Sequence, residues 1–325
     1  MRVSKKIVTS FIALVLALPV FAQQAGTTTV LWRDRGDVAA LNLLDGPGGK
    51  TRAPGTDFTF MGEIETGTAA KFDVVDENGA KWKVKLGPEA KGETAATRLV
   101  WAAGYFTDED YYRPEIRVRG LQPLSRGNKY ISDAGLGLVR EARLKRDDPG
   151  KKSQDWSWYE TRVAGTREFN GLRVMMALIN NWDLKADNNS VYDQDGAGER
   201  YFVSDLGASL GRTGSSFSRS KGVMQDYAQT KFVRKVTPDH ADFVMHSRPF
   251  FLLYVFRHNY YSVRTRMESI PRHIPIADAR WLGNLLGQLS TDQIGDCFRA
   301  GGFSPAEVEG YTRVVTERID ALKKL

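Results

Sequence analysis

Residues 181–189 read N-W-D-L-K-A-D-N-N, which sets Asp183 and Asn188 five apart with Lys185 between them; Asp205 follows in V-S-D-L-G. A carboxylate, an ammonium and an amide in one short loop, with a second carboxylate close behind, are the groups that phosphoryl transfer needs. That reaction asks a protein for positioning and charge neutralisation more than for covalent chemistry. Magnesium wants oxygen ligands shared with phosphates, and an accepting hydroxyl wants a carboxylate within hydrogen-bond reach.

Such groups work only if regular elements hold them. Leu172, Met175, Met176 and Ile179 fall at helical spacing, so a helix over 166–181 delivers the chain to Asp183, its methionines packed in the core. Ser190 to Tyr192 and Arg200 to Ser204 flank D-Q-D-G-A-G, a hairpin that leads straight into Asp205. Further upstream, Phe72, Val74 and Val75 precede Glu77-Asn78-Gly79, and then Trp82, Val84 and Leu86 alternate with Lys81, Lys83 and Lys85. That is a two-stranded ribbon ending in a lysine. Gly87-Pro88 breaks it, and Glu89 to Ala103 has helical spacing with a stop at Gly104. Glu115 to Arg119 and Leu136 to Leu144 add strand-like runs, and Arg146 to Gln154 reads as a connection. Phe250, Phe251, Leu253, Tyr254 and Phe256 are expected to be buried, and the chain ends in amphipathic helices, one starting at Ser304-Pro305.

The D-L-K-x-x-N loop with its D-L-G resembles the catalytic loop and metal motif of the protein-kinase-like superfamily. The resemblance spans roughly 72–207 and lies nearer the lipid-kinase-like and secretory-pathway branches than the regulated protein kinases. It implies an α+β, two-lobed fold: a small antiparallel-sheet lobe over 61–146 and a mainly helical large lobe over 147–325, after an N-terminal extension at 23–60. It also implies ATP, or another nucleoside triphosphate, with Mg2+. By the same resemblance Asp183 would orient or deprotonate the acceptor hydroxyl, and Lys185 would neutralise the moving phosphate. Asn188 and Asp205 would hold the metal. Lys85 would grip the other phosphates, positioned by Glu93, with Glu89 a competitor one turn earlier. Gly62 and Gly67, in G-E-I-E-T-G, occupy the place of the phosphate-covering loop, where a full G-x-G-x-x-G is missing. Asn181-Trp182 stand where protein kinases have His-Arg, so no arginine awaits an activation-loop phosphate.

The first 22 residues have the makings of an export signal: basic Arg2, Lys5 and Lys6, an apolar run from Ile7 to Phe21, and Val20-Phe21-Ala22 as a cleavage site. Its removal takes three basic and no acidic residues, so a formal charge of +7 falls to +4, too mild an excess to point to nucleic acid. The lone Cys297 cannot make an internal disulfide, and no later stretch reads as a membrane span. Gly-Gly-Lys-Thr at 48–51 lacks the earlier glycine of a P-loop, and Arg35-Gly36-Asp37 reads as a chance tripeptide. The expectation is therefore an exported, periplasmic or secreted kinase-like phosphotransferase with an unidentified protein, glycan or lipid acceptor. The alternative is an inactive pseudokinase serving as an envelope binding or scaffold module.

Overall fold

Strict alternation decides the first half of the chain. The computed structural model describes residues 28–147, 150, 152–193, 198–215 and 218–325. The expected signal at 1–22 and the hairpin tip at 194–197 lie outside the described residues. After β1 (Thr29–Val30) come β2 (Asp57–Glu63), β3 (Lys71–Asp76), β4 (Lys81–Leu86) and α1 (Glu89–Ala102). Then follow β5 (Phe106–Thr107), β6 (Asp110–Arg119), β7 (Ile131–Asp133) and β8 (Leu138–Arg146). β4 pairs with both β3 and β8, while β6 pairs with both β8 and β2, so the sheet closes into a small barrel with β7 at its margin. One ladder, β2 on β6, is parallel. The long crossover through α1 makes that possible, since parallel neighbours cannot be joined by a tight hairpin.

Phe58, Phe72, Val74, Trp82, Val84 and Leu144 fill the barrel and are buried. Because side chains alternate across a strand, Lys81, Lys83 and Lys85 then point outward. Asp76 fixes the β3–β4 turn: its carboxylate accepts from the amides of Asn78 and Ala80 and from Trp82 Nε1. α1 stops short of Gly104, whose φ of +92° and close approach to Trp32 leave no room for a Cβ, which would stand 2.1 Å from the indole nitrogen.

The second half holds β9 (Lys152–Gln154), α2 (Arg167–Leu178), β10 (Asn189–Asp193) and β11 (Glu199–Val203). Its sheet runs β1-β11-β10-β9, with β5 added beside β11. Helices α3 (Met224–Ala228), α4 (Leu253–Phe256), α5 (His258–Met267), α6 (Ile276–Leu286), α7 (Thr291–Ala300) and α8 (Pro305–Lys323) complete the chain, with β12 (Val233–Val236), β13 (His240–Phe243) and β14 (Ile274–Pro275) between them. The architecture is α+β. Met175, Met176, Leu282, Phe298 and Tyr311 share one large buried core. α2 is capped by Thr166, which accepts from the Phe169 amide, and α8 by a reciprocal Ser304–Glu307 box with Pro305 at its first turn.

One expectation is corrected. Phe251, Tyr254 and Phe256 are 64%, 52% and 80% exposed, and Phe250 and Leu253 are half-buried. An apolar run has the tendency to be buried but cannot say what will cover it. Here α4 and α5 pack chiefly against each other.

Candidate active site

Lys85 leaves the end of β4 on the barrel's outer face and meets α1, one connection later. Its Nζ lies 2.8 Å from Glu93 Oε2 and 3.2 Å from Glu89 Oε2, one helical turn apart, so both glutamates reach it. On the far side it lies 2.5 Å from Asp205 Oδ1. Arg143, from β8, holds the other Glu93 oxygen at 2.8 Å and lies 3.6 Å from Asp110. Lys221 pairs with Glu89. Glu89, Glu93 and Asp205 come close enough to hold a cation, and the Lys85 ammonium already stands among them.

Burial opposes the charge on Lys85, yet the Glu93, Asp205 and Glu89 carboxylates together outweigh it and raise the lysine above its ordinary value. Burial likewise opposes Arg143, and Glu93, Asp110 and Asp108 together override it. Burial pushes the Glu93 carboxyl up while Arg143 and Lys85 pull it down. With a cation at 2.8 Å from each oxygen, the geometry holds the ionised form. Asp205 is raised by burial but brought down to about 2 by the charge and hydrogen bond of Lys85. Its φ of +50° is left-handed, a conformation that costs a non-glycine residue about 1 kcal/mol or more.

The 181–189 loop hangs from the end of α2. Arg318, buried on α8, donates to the Leu178 carbonyl at 2.7 Å and to Asn180 Oδ1 at 2.9 Å, satisfying acceptors that a helix end leaves open. Leu210 donates to the Ile179 carbonyl and Trp182 to that of Ala208, which lays the loop beside the segment after Asp205. Asp183 pairs with Lys185 at 3.3 Å and lies 2.7 Å from Arg264, a buried residue of α5. Asn188 donates its amide nitrogen to the Asp183 carbonyl, leaving Oδ1 as an oxygen ligand.

Between barrel and loop lies a cleft of about 580 Å3, lined by Lys71, Lys85, Asn188, Ser204 and Asp205 among others. Asp183 and Lys185 stand outside that lining. Gly67 sits in the β2–β3 turn with φ +79°, whereas Gly62 is inside β2 at a register shift opposite Asp73. The turn's contribution to the cleft comes from Ile64 and Thr66. Ser204 Oγ is buried without a hydrogen-bond partner. A carboxylate, an amide oxygen and an unpartnered hydroxyl form a donor set that suits a hard divalent cation. A groove of similar size between α7 and α8 lies away from all these residues.

No family model and no curated protein matches the chain. Among solved structures it is similar to the proinflammatory kinase CtkA of Helicobacter pylori, at 12% identity over 83% of this chain and 98% of that one, with a TM-score of 0.48. It is also similar to a Golgi casein kinase, at 11% identity over 84% of this chain and 73% of that one, with a TM-score of 0.39. A third is the Rio2 kinase of Chaetomium thermophilum with ADP, Mg2+ and phosphoaspartate: 10% identity, 81% of this chain, 72% of that one, TM-score 0.32. At such identities the chemistry has to be read from this chain's own residues.

Four of those residues escaped sequence reasoning. Arg143 and Lys221 complete the glutamate network, Arg264 stands at Asp183, and Lys71 shares the cleft with Lys85. Lys71 had a signal: the Glu77-Asn78-Gly79 hairpin puts it directly opposite Lys85 in the ladder. Burial, then the charge of Lys85, lowers its pKa. Arg264 had none, since only tertiary packing brings α5 to the loop.

Proposed function

We propose that this chain is a kinase-type phosphotransferase, moving the terminal phosphoryl group of ATP or another nucleoside triphosphate to the hydroxyl of an acceptor. The observation that carries this reading is Lys85, held by Glu93 on one side and facing Asp205 across a cleft that Asn188 also lines. Bound magnesium supplies charge neutralisation at the phosphate oxygens. Asp205 and Asn188 are the residues that would hold it. Lys85 grips the non-transferred phosphates, and Lys71 adds a second ammonium beside them. Asp183 orients the acceptor hydroxyl and takes its proton as the new O–P bond forms and the bond to the nucleoside diphosphate breaks. Arg264 and Lys185 fix that carboxylate from two sides. The acceptor is a protein, glycan or lipid-linked hydroxyl. The signal-like 1–22 supports action outside the cytoplasm. Among the described residues no helix is long and apolar enough to cross a membrane.

A second reading, an inactive pseudokinase that binds without turnover, is favoured by one contact. At 2.5 Å, Lys85 already engages Oδ1, one of the two Asp205 oxygens a metal would compete for. Melting of the purified protein with ATP, with and without magnesium, beside Asp205→Ala, separates the cases. Ligand at 100 times its Kd should stabilise the fold by about 2.7 kcal/mol. A magnesium-dependent rise that Asp205→Ala abolishes supports the phosphotransferase. Silence at millimolar ATP and GTP removes it and leaves the binding module.

A further inference from the structure

A hollow of about 330 Å3 is lined by the N-terminal extension, the end of α1, β5 and β11. Arg33, Arg35, Arg52, Arg146 and Arg200 line it, against only two carboxylates, Asp108 and Glu109. Both carboxylates are already engaged, Asp108 by Lys145 at 2.9 Å and Glu109 by Arg52 at 2.8 Å. Among the described residues no carboxylate pairs with Arg33, Arg35 or Arg200.

We propose that this hollow is an anion-binding site, separate from the cleft, that takes the phosphate or sulfate group of a small ligand. Arg35 is built in rather than draped over the surface: Nε donates to the Trp101 carbonyl at 3.1 Å and Nη2 to that of Tyr105 at 2.9 Å. Those bonds fix the guanidinium plane and leave Nη1 for a ligand. Burial, and then the neighbouring Arg33 charge, bring Arg35 down to about 10, which is how a cation behaves beside another with no counter-charge between them. The second observation is Thr107. It lines the hollow, is only 5% exposed, and its Oγ1 has no hydrogen-bond partner. A buried unpartnered hydroxyl is costly, and a ligand oxygen accepting from it would remove that cost. Guanidinium forks match the oxygens of a tetrahedral anion, so Arg33 and Arg35 supply charge and geometry together. Phe106 and Phe202 stack at 5.7 Å and give the hollow one flat apolar wall, with Arg200 over the Phe106 ring. Asp108 lines both the hollow and the cleft, so the two sites share a wall.

The proposal does not rest on the phosphotransferase reading, and its test avoids nucleotide. Inorganic phosphate and sulfate would be titrated by calorimetry into the full chain without magnesium. The variants are Arg33→Glu and Arg200→Glu in the hollow, and Lys71→Ala in the cleft, each checked for its fold by circular dichroism. Arg33 and Arg200 are exposed, and among the described residues neither side chain makes a hydrogen bond or an ion pair, so their replacement leaves the fold in place. The expected result is one saturable site, weakened about tenfold or more by either hollow variant and unmoved by Lys71→Ala. Preference for phosphate over sulfate would name the ester. Binding that Lys71→Ala removes and Arg33→Glu spares would overturn the proposal, as would no binding of either anion by the unaltered protein at about 10 mM.

Discussion

Glu93 and Asp183, the carboxylates at the two ends of the candidate site, are held by opposite means. Glu93 is 1% exposed between two cations that are themselves 5% exposed, with one oxygen for each. Asp183 is 19% exposed, and while Arg264 beside it is buried, Lys185 is 37% exposed. Three buried charges each bear a desolvation cost of several kcal/mol that only their mutual contacts offset. The Glu93 group is therefore a rigid part of the fold, which sets Lys85 in place before any ligand arrives. The Asp183 loop is anchored through backbone bonds and can lose a side-chain charge with little structural consequence. Stability resides mainly in the first group, and the proposed function puts the chemistry mainly in the second.

Glu93→Ala tests the first half of that contrast most severely. It leaves Lys85 and Arg143 buried and short of their main counter-charge, and should cost about 3–5 kcal/mol in urea unfolding. A loss under about 1 kcal/mol would mean that the network is solvated and the contrast false. Asp183→Asn should do the reverse. It keeps an acceptor oxygen near Arg264, so it should cost only about 1–2 kcal/mol of stability. Phosphoryl transfer measured on any acceptor should fall by about 10²–10⁴-fold, with ATP-induced stabilisation retained. An Asp183→Asn variant that transfers phosphate at the full rate would remove Asp183 from the mechanism.

Local chemistry was legible where it was written in consecutive residues. The helix caps Thr166 and Ser304, the hairpin at Glu77-Asn78-Gly79 and the alternation that separates Trp82 from Lys83 all follow from short-range patterns. Sequence reasoning set Glu93 and Glu89 as rivals for one lysine; four apart on a helix, both reach it. Closure of the barrel was not legible, because β4–β8 pairing joins residues some sixty positions apart and no local signal encodes it. Arg143 therefore remained unseen, although its place opposite Lys85 in that ladder is what brings it to Glu93. The same reasoning covers Arg264, and it covers Phe256, whose apolar character gives no information about its surroundings.

Ser304→Ala calibrates the contrast from a third place. The Ser304 hydroxyl caps α8, and α8 carries the Arg318 that closes the end of α2. Loss of the cap should cost about 1 kcal/mol and leave nucleotide binding unchanged. If binding fell as well, Arg318 would be transmitting the loss to the loop, and the Asp183 group would be less independent than the contrast requires.

The smallest expected effect is a pH dependence, and it sharpens the comparison because Asp205 contacts Lys85 of the first group and follows Ser204, whose amide donates to the Asn188 carbonyl of the loop. Its ordinary value of 3.8 falls to about 2 in the fold, since Lys85 outweighs the opposing effect of burial. A depressed carboxyl contributes stability that is complete above its unfolded value and is lost as pH falls through the folded one. The window thus runs from about pH 4 down to about pH 2. Glu268, brought to about 2 by hydrogen bonds from His246 and Arg248 against the effect of burial, titrates in the same window. The readout is therefore a difference: melting temperature against pH for the unaltered protein minus that for Asp205→Asn. The two curves should converge as pH falls from 4 to 2, by a modest amount, because the Asp205 side chain is 49% exposed and solvent screens part of the interaction. Curves that stay parallel would show that Lys85 belongs to Glu93 alone, with Asp205 free for metal before any ligand binds. That outcome would weaken the pseudokinase reading and leave the phosphotransferase with a site already poised.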